Sequence, residues 1–225
     1  MGALIATHMG PQHMTIHTDT LTLAQWFSPS FPVGAFAYSH GLETAVSDGT
    51  ICDTPTLLDW LSDLIQYGSG RADAVLIACA YDAADPAAID EAARAFAASA
   101  ERLQETTLQG AAFAGTLNAT EGLTLPPLTY PVAVGAAACA NGLDKRLTLS
   151  MYLHAFVANL TSAAIRLVPL GQTQGQEVQT ALKPVCFEMA EAVQNATLTA
   201  LYSNTFASDI AAMRHEVQSP RLFRT

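Results

Sequence analysis

The sequence predicts an all-α fold, a single-domain helical bundle of about seven to ten helices turned by Pro/Gly corners. Three observations carry this. Half of the 225 residues are hydrophobic, and alanine, the best helix former, supplies much of that half. Apolar positions recur at three- and four-residue spacing, with no convincing alternation of the strand kind. Prolines and glycines fall between those runs, where helices end. The length suits one domain and no internal repeat is evident. Residues 1–20 read as a flexible tail, 21–218 as the helical domain and 219–225 as a docking tail.

Met1 to Thr20 shows no helical period. His8, His13 and His17, with nearby methionines, are of the type that binds soft or borderline metals. No carboxylate or cysteine joins them at fixed spacing, so they read as residues of a tail. No basic region precedes an apolar block, so no signal peptide is predicted. Leu21, Leu23, Trp26 and Phe27 anchor a short first helix.

Ser28 to Glu43, SPSFPVGAFAYSHGLE, is a stiff corner. Pro29 and Pro32 fix φ and block helix continuation. After Gly34 the spacing predicts a helix with Phe36, Ser39, His40 and Glu43 on one face, ending near Ser47-Asp48-Gly49. Ser, His and Glu together suggest a hydrolase triad. Neighbouring residues on a helix diverge by about 100°, however, which separates Ser39 from His40. The corner therefore reads as a surface presenting polar and aromatic side chains, not as a nucleophile with its base.

Asp53 or Thr54 caps the next helix, with Pro55 in its first turn. Leu57, Leu58, Leu61, Leu64 and Ile65 form its apolar face, and Gly68 ends it. Gly70 to Tyr81 makes another helix, with Arg71 and Asp73 in its first turn. Asp85-Pro86 opens a long run from Ala87 to about Gln109. Its Arg94–Glu91 and Arg102–Glu105 spacings read as ordinary surface pairs. A weak continuation breaks at Pro126-Pro127. Pro131 to Asn141 is a short helix. Leu149, Leu153, Phe156, Val157, Leu160 and Ala164 then mark the core face of a central helix within Leu147–Leu170. That stretch contains His154, Asn159 and Arg166, which argues against a membrane span. His154 has no second histidine at i+3 or i+4 and reads as a core residue. Arg166, near a helix C-terminus, is expected to bridge to the following loop.

Pro169 to Gln176, PLGQTQGQ, matches neither phosphate-loop pattern and reads as a tight turn. Glu177 to Val193 is helical, with Pro184 expected to kink or split it. Ser208-Asp209 caps a last helix to about Val217. Pro220 then stops it, leaving SPRLFRT as a peptide whose aromatic and arginine residues are typical interface anchors.

The net charge of −10 and the lack of a basic block exclude nucleic acid and disfavour anionic membranes. The four cysteines form no CxxC pair. Cys79 and Cys139 lie in apolar runs and are expected to be buried. This usage fits a reducing cytoplasmic setting.

Three separated motifs, PVGAFAYSHGLE, AAIRLVPLGQTQGQ and MRHEVQSPRLFRT, together resemble the UreF family of urease accessory proteins. The resemblance runs from about Leu21 to Thr225. The final Thr225, where serine is expected, and His40 within YSHGLE are small departures. The resemblance implies an all-α, homodimeric maturation factor with no enzymatic activity and no cofactor. Its implied partners are UreD (UreH in some bacteria), the nickel-carrying GTPase UreG, and apo-urease. It implies a partner interface at Tyr38, Ser39, His40, Glu43, Arg166, Gln172, Arg221, Leu222, Phe223 and Arg224. Two other readings are weighed beside it: a helical metal-dependent hydrolase using His40, His154 or His215, and a GTPase regulator unrelated to urease. The ligand spacing that the first requires is absent, and the second rests only on the PLGQTQGQ loop.

Overall fold

The computed structural model describes residues 11–224, with side chains from Thr18 onward. The tail histidines His8, His13 and His17 lie outside the described side chains. Among the described residues ten α-helices run in order: α1 (Pro11–Trp26), α2 (Leu42–Ser47), α3 (Thr54–Tyr67), α4 (Ser69–Asp82), α5 (Ala87–Phe96), α6 (Ala100–Glu121), α7 (Tyr130–Ala140), α8 (Lys145–Leu167), α9 (Gln172–Val193) and α10 (Phe206–His215). Short 3₁₀ turns at Ala35–Ala37 and Leu198–Ala200 complete the path. The described residues contain no strand, and no helix among them is long and apolar enough to cross a membrane.

The local rules account for most of these elements. Asp53 caps α3: its carboxylate accepts the Thr56 N–H while Thr56 Oγ1 accepts the Asp53 N–H, and Pro55 sits in the first turn. Leu57, Leu61, Leu64 and Ile65 are buried, as their spacing predicts. The predicted inner face of α8, from Leu149 to Ala164, is buried throughout. The most enclosed helix is α4, hydrophobic nearly all round and packed against α3, α7, α8 and α9. Phe113 of α6, fully buried, gathers the ends of the corner. The rings of Trp26, Phe31 and Tyr130 lie 5.3, 5.5 and 5.6 Å from it.

Several boundaries differ from expectation. α1 starts at Pro11, so helix extends into the segment read as tail. Leu23 and Trp26 bury its end, and Asp19 accepts the Asp144 N–H at 3.2 Å. The long run after Asp85 is two helices, broken at Ala97 and restarted by Ser99, whose hydroxyl caps the Arg102 N–H. Pro184 does not split α9, which runs unbroken around it. PLGQTQGQ is not a loop through Gln176, because α9 begins at Gln172. Gly175 is a packing glycine: a Cβ there would sit 2.5 Å from Ile165 Cδ1 of α8. Cys79 is buried but Cys139 is exposed, facing out at the end of α7.

Candidate functional site: a docked C-terminal tail

The corner after Gly34 is not one helix. A single 3₁₀ turn gives way to extended backbone at Tyr38, and His40 and Gly41 then both take positive φ, at 53° and 76°. Two consecutive left-handed residues redirect the chain before α2 starts at Leu42. Gly41 is needed twice over, because a Cβ there would also lie 2.6 Å from the backbone nitrogen of Ala212 in α10. α2 and α10 are therefore in close contact, and Glu43 faces the C-terminal segment.

Glu43 is the hub. Its Oε1 accepts the Leu222 N–H at 2.7 Å, and its Oε2 accepts the Phe223 N–H at 2.9 Å. The same Oε2 lies 3.1 Å from His215 Nε2. His215, fully buried, places its other nitrogen 2.8 Å from Glu101 Oε2. Glu101 in turn pairs with Arg221. One carboxylate thus holds two tail amides, and one imidazole joins α2 to α6 through two carboxylates.

The rest of the tail is pinned in the same way. The Arg224 N–H donates to Ala37 O at 2.8 Å, and its side chain bonds the Tyr38 hydroxyl. Burial raises the Tyr38 pKa, reinforced by Glu105, so the phenol stays protonated. The Phe223 ring is buried against the Arg166 guanidinium at 4.4 Å. Arg166 also donates to Phe36 O at 3.0 Å. Thr44 Oγ1 donates to Gln218 Oε1 at 2.8 Å.

Beneath this lies a second charged cluster. His40 Nε2 is 2.9 Å from Glu105 Oε1, and its ring stands edge-on to Phe156. Arg102 reaches Glu105 at 3.1 Å and Asp73 at 2.8 Å, and Tyr152 donates to Asp73 at 2.7 Å. Burial pushes the Glu105 pKa up, but Arg102 and His40 outweigh it and hold the carboxyl at about 2. Burial also opposes the Arg102 charge, yet Glu105 and Asp73 raise its pKa and keep it cationic. Burial and Asp73 raise Tyr130 and Tyr152. The Arg102–Glu105 pair is therefore held in its charged form beneath the corner.

The predicted site residues now separate. Tyr38, Glu43, Arg166, Arg221, Phe223 and Arg224 come together around the tail, with the Leu222 backbone. Ser39 and His40 are buried just below. The expectation that one helix presents Phe36, Ser39, His40 and Glu43 on a single face is corrected: Phe36 is exposed on the 3₁₀ turn, Ser39 and His40 are buried on turning backbone outside any helix, and Glu43 is buried in α2, while Tyr38 is buried as well. Arg166 is exposed and reaches back to the corner, not forward to its own loop. Gln172 is exposed at the start of α9. Arg102 and Glu105 do pair, but inside the protein, and Arg94 pairs with Asp90, not Glu91. The site residues that sequence reasoning passed over are Glu101, Arg102, Glu105 and the tail-holding role of His215. Among the described residues no group of three or more His, Cys, Asp or Glu is placed to hold a metal ion.

A family model for UreF matches residues 51–183. The urease accessory protein UreF of Roseobacter denitrificans is 52% identical over 222 residues, covering 94% of this chain and all of that protein. The chain belongs to the UreF family. The UreF proteins of Cereibacter sphaeroides (strain ATCC 17029) and Ruegeria sp. (strain TM1040) are 52% and 55% identical, covering 91% and 92% of this chain and 98% of each relative. Membership makes the chain an accessory protein of urease maturation, and the docked tail is the last segment of a UreF-family chain folded back on its own corner.

Proposed function

We propose that this chain is an adaptor of urease maturation that joins UreD/UreH and the GTPase UreG on apo-urease and supports GTP-dependent nickel insertion. In this reading it acts in the cytoplasm as a homodimer and performs no reaction itself. One observation carries it: the polar groups of the corner are committed to holding a peptide. Both Glu43 oxygens serve tail amides, and both His215 nitrogens face carboxylates. A general base or nucleophile needs a free lone pair aimed at a substrate; here the Glu43 oxygens are aimed at the amides of residues 222 and 223, and the His215 nitrogens at Glu43 and Glu101.

The docked tail has a partner-facing side. Leu222 and Phe36 stay 77% and 67% exposed while Phe223 is buried beneath them. Tyr38, Ser39, His40 and Glu43 then act through the tail, by setting its position, and Arg166, Arg221, Leu222 and Arg224 lie at the partner's edge. Deleting Ser219 to Thr225 is expected to abolish co-purification with UreD/UreH and leave the circular dichroism of the helices unchanged. Undiminished co-purification would remove the tail from the interface.

A further inference from the structure

Three segments meet at the corner: residues 28–42, α8 with the loop after it (145–171), and the tail (217–225). None of them contains an aspartate or a glutamate, in a chain that has 20. Arg166 of α8 and Arg221 and Arg224 of the tail are exposed there. The described partners of Arg166 are neutral: the Ser162 and Phe36 carbonyls and the Phe223 ring. That of Arg224 is the Tyr38 hydroxyl. Arg221 pairs with Glu101, a carboxylate it shares with His215. By contrast, Arg94, Arg146 and Arg214 each sit on a carboxylate of this chain. Positive charge is therefore left uncompensated on one face of an acidic protein.

That face also carries apolar side chains fixed in place. Phe36 projects from a turn whose three carbonyls are all held. Asn159 Nδ2 donates to Ala35 O at 3.0 Å, Arg166 to Phe36 O at 3.0 Å, and the Arg224 N–H to Ala37 O at 2.8 Å. α8 and the tail both grip the turn, while the Phe36 ring stays in solvent. Leu222 is fixed by its N–H on Glu43 and likewise turns its side chain outward. Apolar side chains on backbone that is ordered beforehand cost less entropy to bind, and aromatic residues of this kind serve as interface anchors.

The charge of the face selects its occupant. Two copies of the chain meeting through it would set arginine against arginine. An anionic lipid surface is repelled by the net charge of −10. We infer that this face docks a protein surface that offers an apolar pocket to Phe36 and Leu222 and carboxylates to Arg166 and Arg224. The identity of that partner rests on the adaptor reading; its acidic chemistry and the anchor role of Phe36 go beyond it.

The test is calorimetric titration of UreD/UreH into the full chain carrying Leu222→Asp, Leu222→Lys or Phe36→Ser, with the wild type beside them. All three changes fall on exposed side chains and leave the backbone contacts in place, and hydrogen exchange at the Leu222 and Phe223 amides checks that the tail stays docked. Leu222→Asp is expected to bind roughly tenfold or more weakly than Leu222→Lys, and Phe36→Ser roughly tenfold or more weakly than wild type. Wild-type affinity is expected to fall as salt is raised from about 0.05 to about 0.3 M. Where Leu222→Asp unseats the tail, the pair Phe36→Asp and Phe36→Lys decides the sign of the charge instead. Equal affinities for the Asp and Lys variants, tighter binding by the Asp variant, or wild-type affinity in Phe36→Ser overturns the inference and leaves the adaptor reading standing. A wild-type chain that does not bind UreD/UreH overturns both. Binding to phosphatidylserine vesicles, or dilution-dependent dimerisation, that Leu222→Asp abolishes also overturns the inference, since the occupant is then a lipid surface or a second copy.

Discussion

Replacing Glu43 by glutamine is the sharpest perturbation of the tail site. The side chain keeps its length and one acceptor oxygen but loses its charge. In the wild-type chain the carboxylate accepts the Leu222 and Phe223 N–H groups at 2.7 and 2.9 Å and faces His215 at 3.1 Å. Hydrogen bonds to a charged group contribute about 1.5–3 kcal/mol each, and a neutral one about 1 kcal/mol. Glutamine preserves one neutral bond and turns an NH₂ toward the other amide. Two charged bonds at about 2 kcal/mol, less the one neutral bond kept, leave a loss of about 3 kcal/mol. The tail opens as a local unit, so that loss lowers hydrogen-exchange protection at the Leu222 and Phe223 amides by about a hundredfold. Amides in the middle of α4, such as Ile77, are expected to keep their protection, because they open only with the whole domain. Protection at residues 222 and 223 within about a factor of two of wild type would refute the reasoning.

Two further outcomes follow from the same geometry. Gly41→Ala forces a Cβ to 2.6 Å from the Ala212 backbone nitrogen at a φ of 76°. The left-handed conformation alone costs a non-glycine residue about 1–2 kcal/mol. A loss of more than about 2 kcal/mol is expected from the urea midpoint, and an unchanged midpoint would mean that α2 and α10 are not so close. Glu105 gives a pH signature. Its pKa is depressed from 4.5 to about 2 in the folded chain. A depressed carboxyl contributes stability that is complete above its unfolded pKa and is lost as pH falls through the folded value. Glu105→Gln should therefore be most destabilising, relative to wild type, above pH 4.5. The difference should shrink on acidification toward about 2, and a difference independent of pH across that window would contradict the charge assignment.

The helices themselves were legible in the chain because their signals are local. The Asp53–Thr56 cap, the Leu57–Ile65 stripe and the Leu149–Ala164 face each depend on neighbours within a few turns. What sequence alone left hidden was pairing over long separations. Glu43 meets residues 215, 222 and 223, and nothing near Glu43 in the chain announces it. The Arg102–Glu105 spacing was visible, but spacing cannot distinguish a solvated pair from one sealed beneath α4 and α8 by Asp73 and Tyr152. The corner was misread because Phe36, Ser39, His40 and Glu43 fit a helical period. Tertiary contacts override that period: His40 is drawn into the left-handed region with its ring set between Glu105 and Phe156. The glycine pair in PLGQTQGQ showed the opposite error, since Gly175 serves close helix packing where a turn was expected.

The central claim is that a tail held by Glu43 is what the maturation partner reads. The most direct measurement is calorimetric titration of UreD/UreH into the full-length chain, into the chain ending at Gln218, and into Glu43→Gln. The account predicts that the truncated chain gives no binding heat. It predicts that Glu43→Gln binds more weakly than wild type because its tail is no longer held in place. Equal affinity for all three would contradict it.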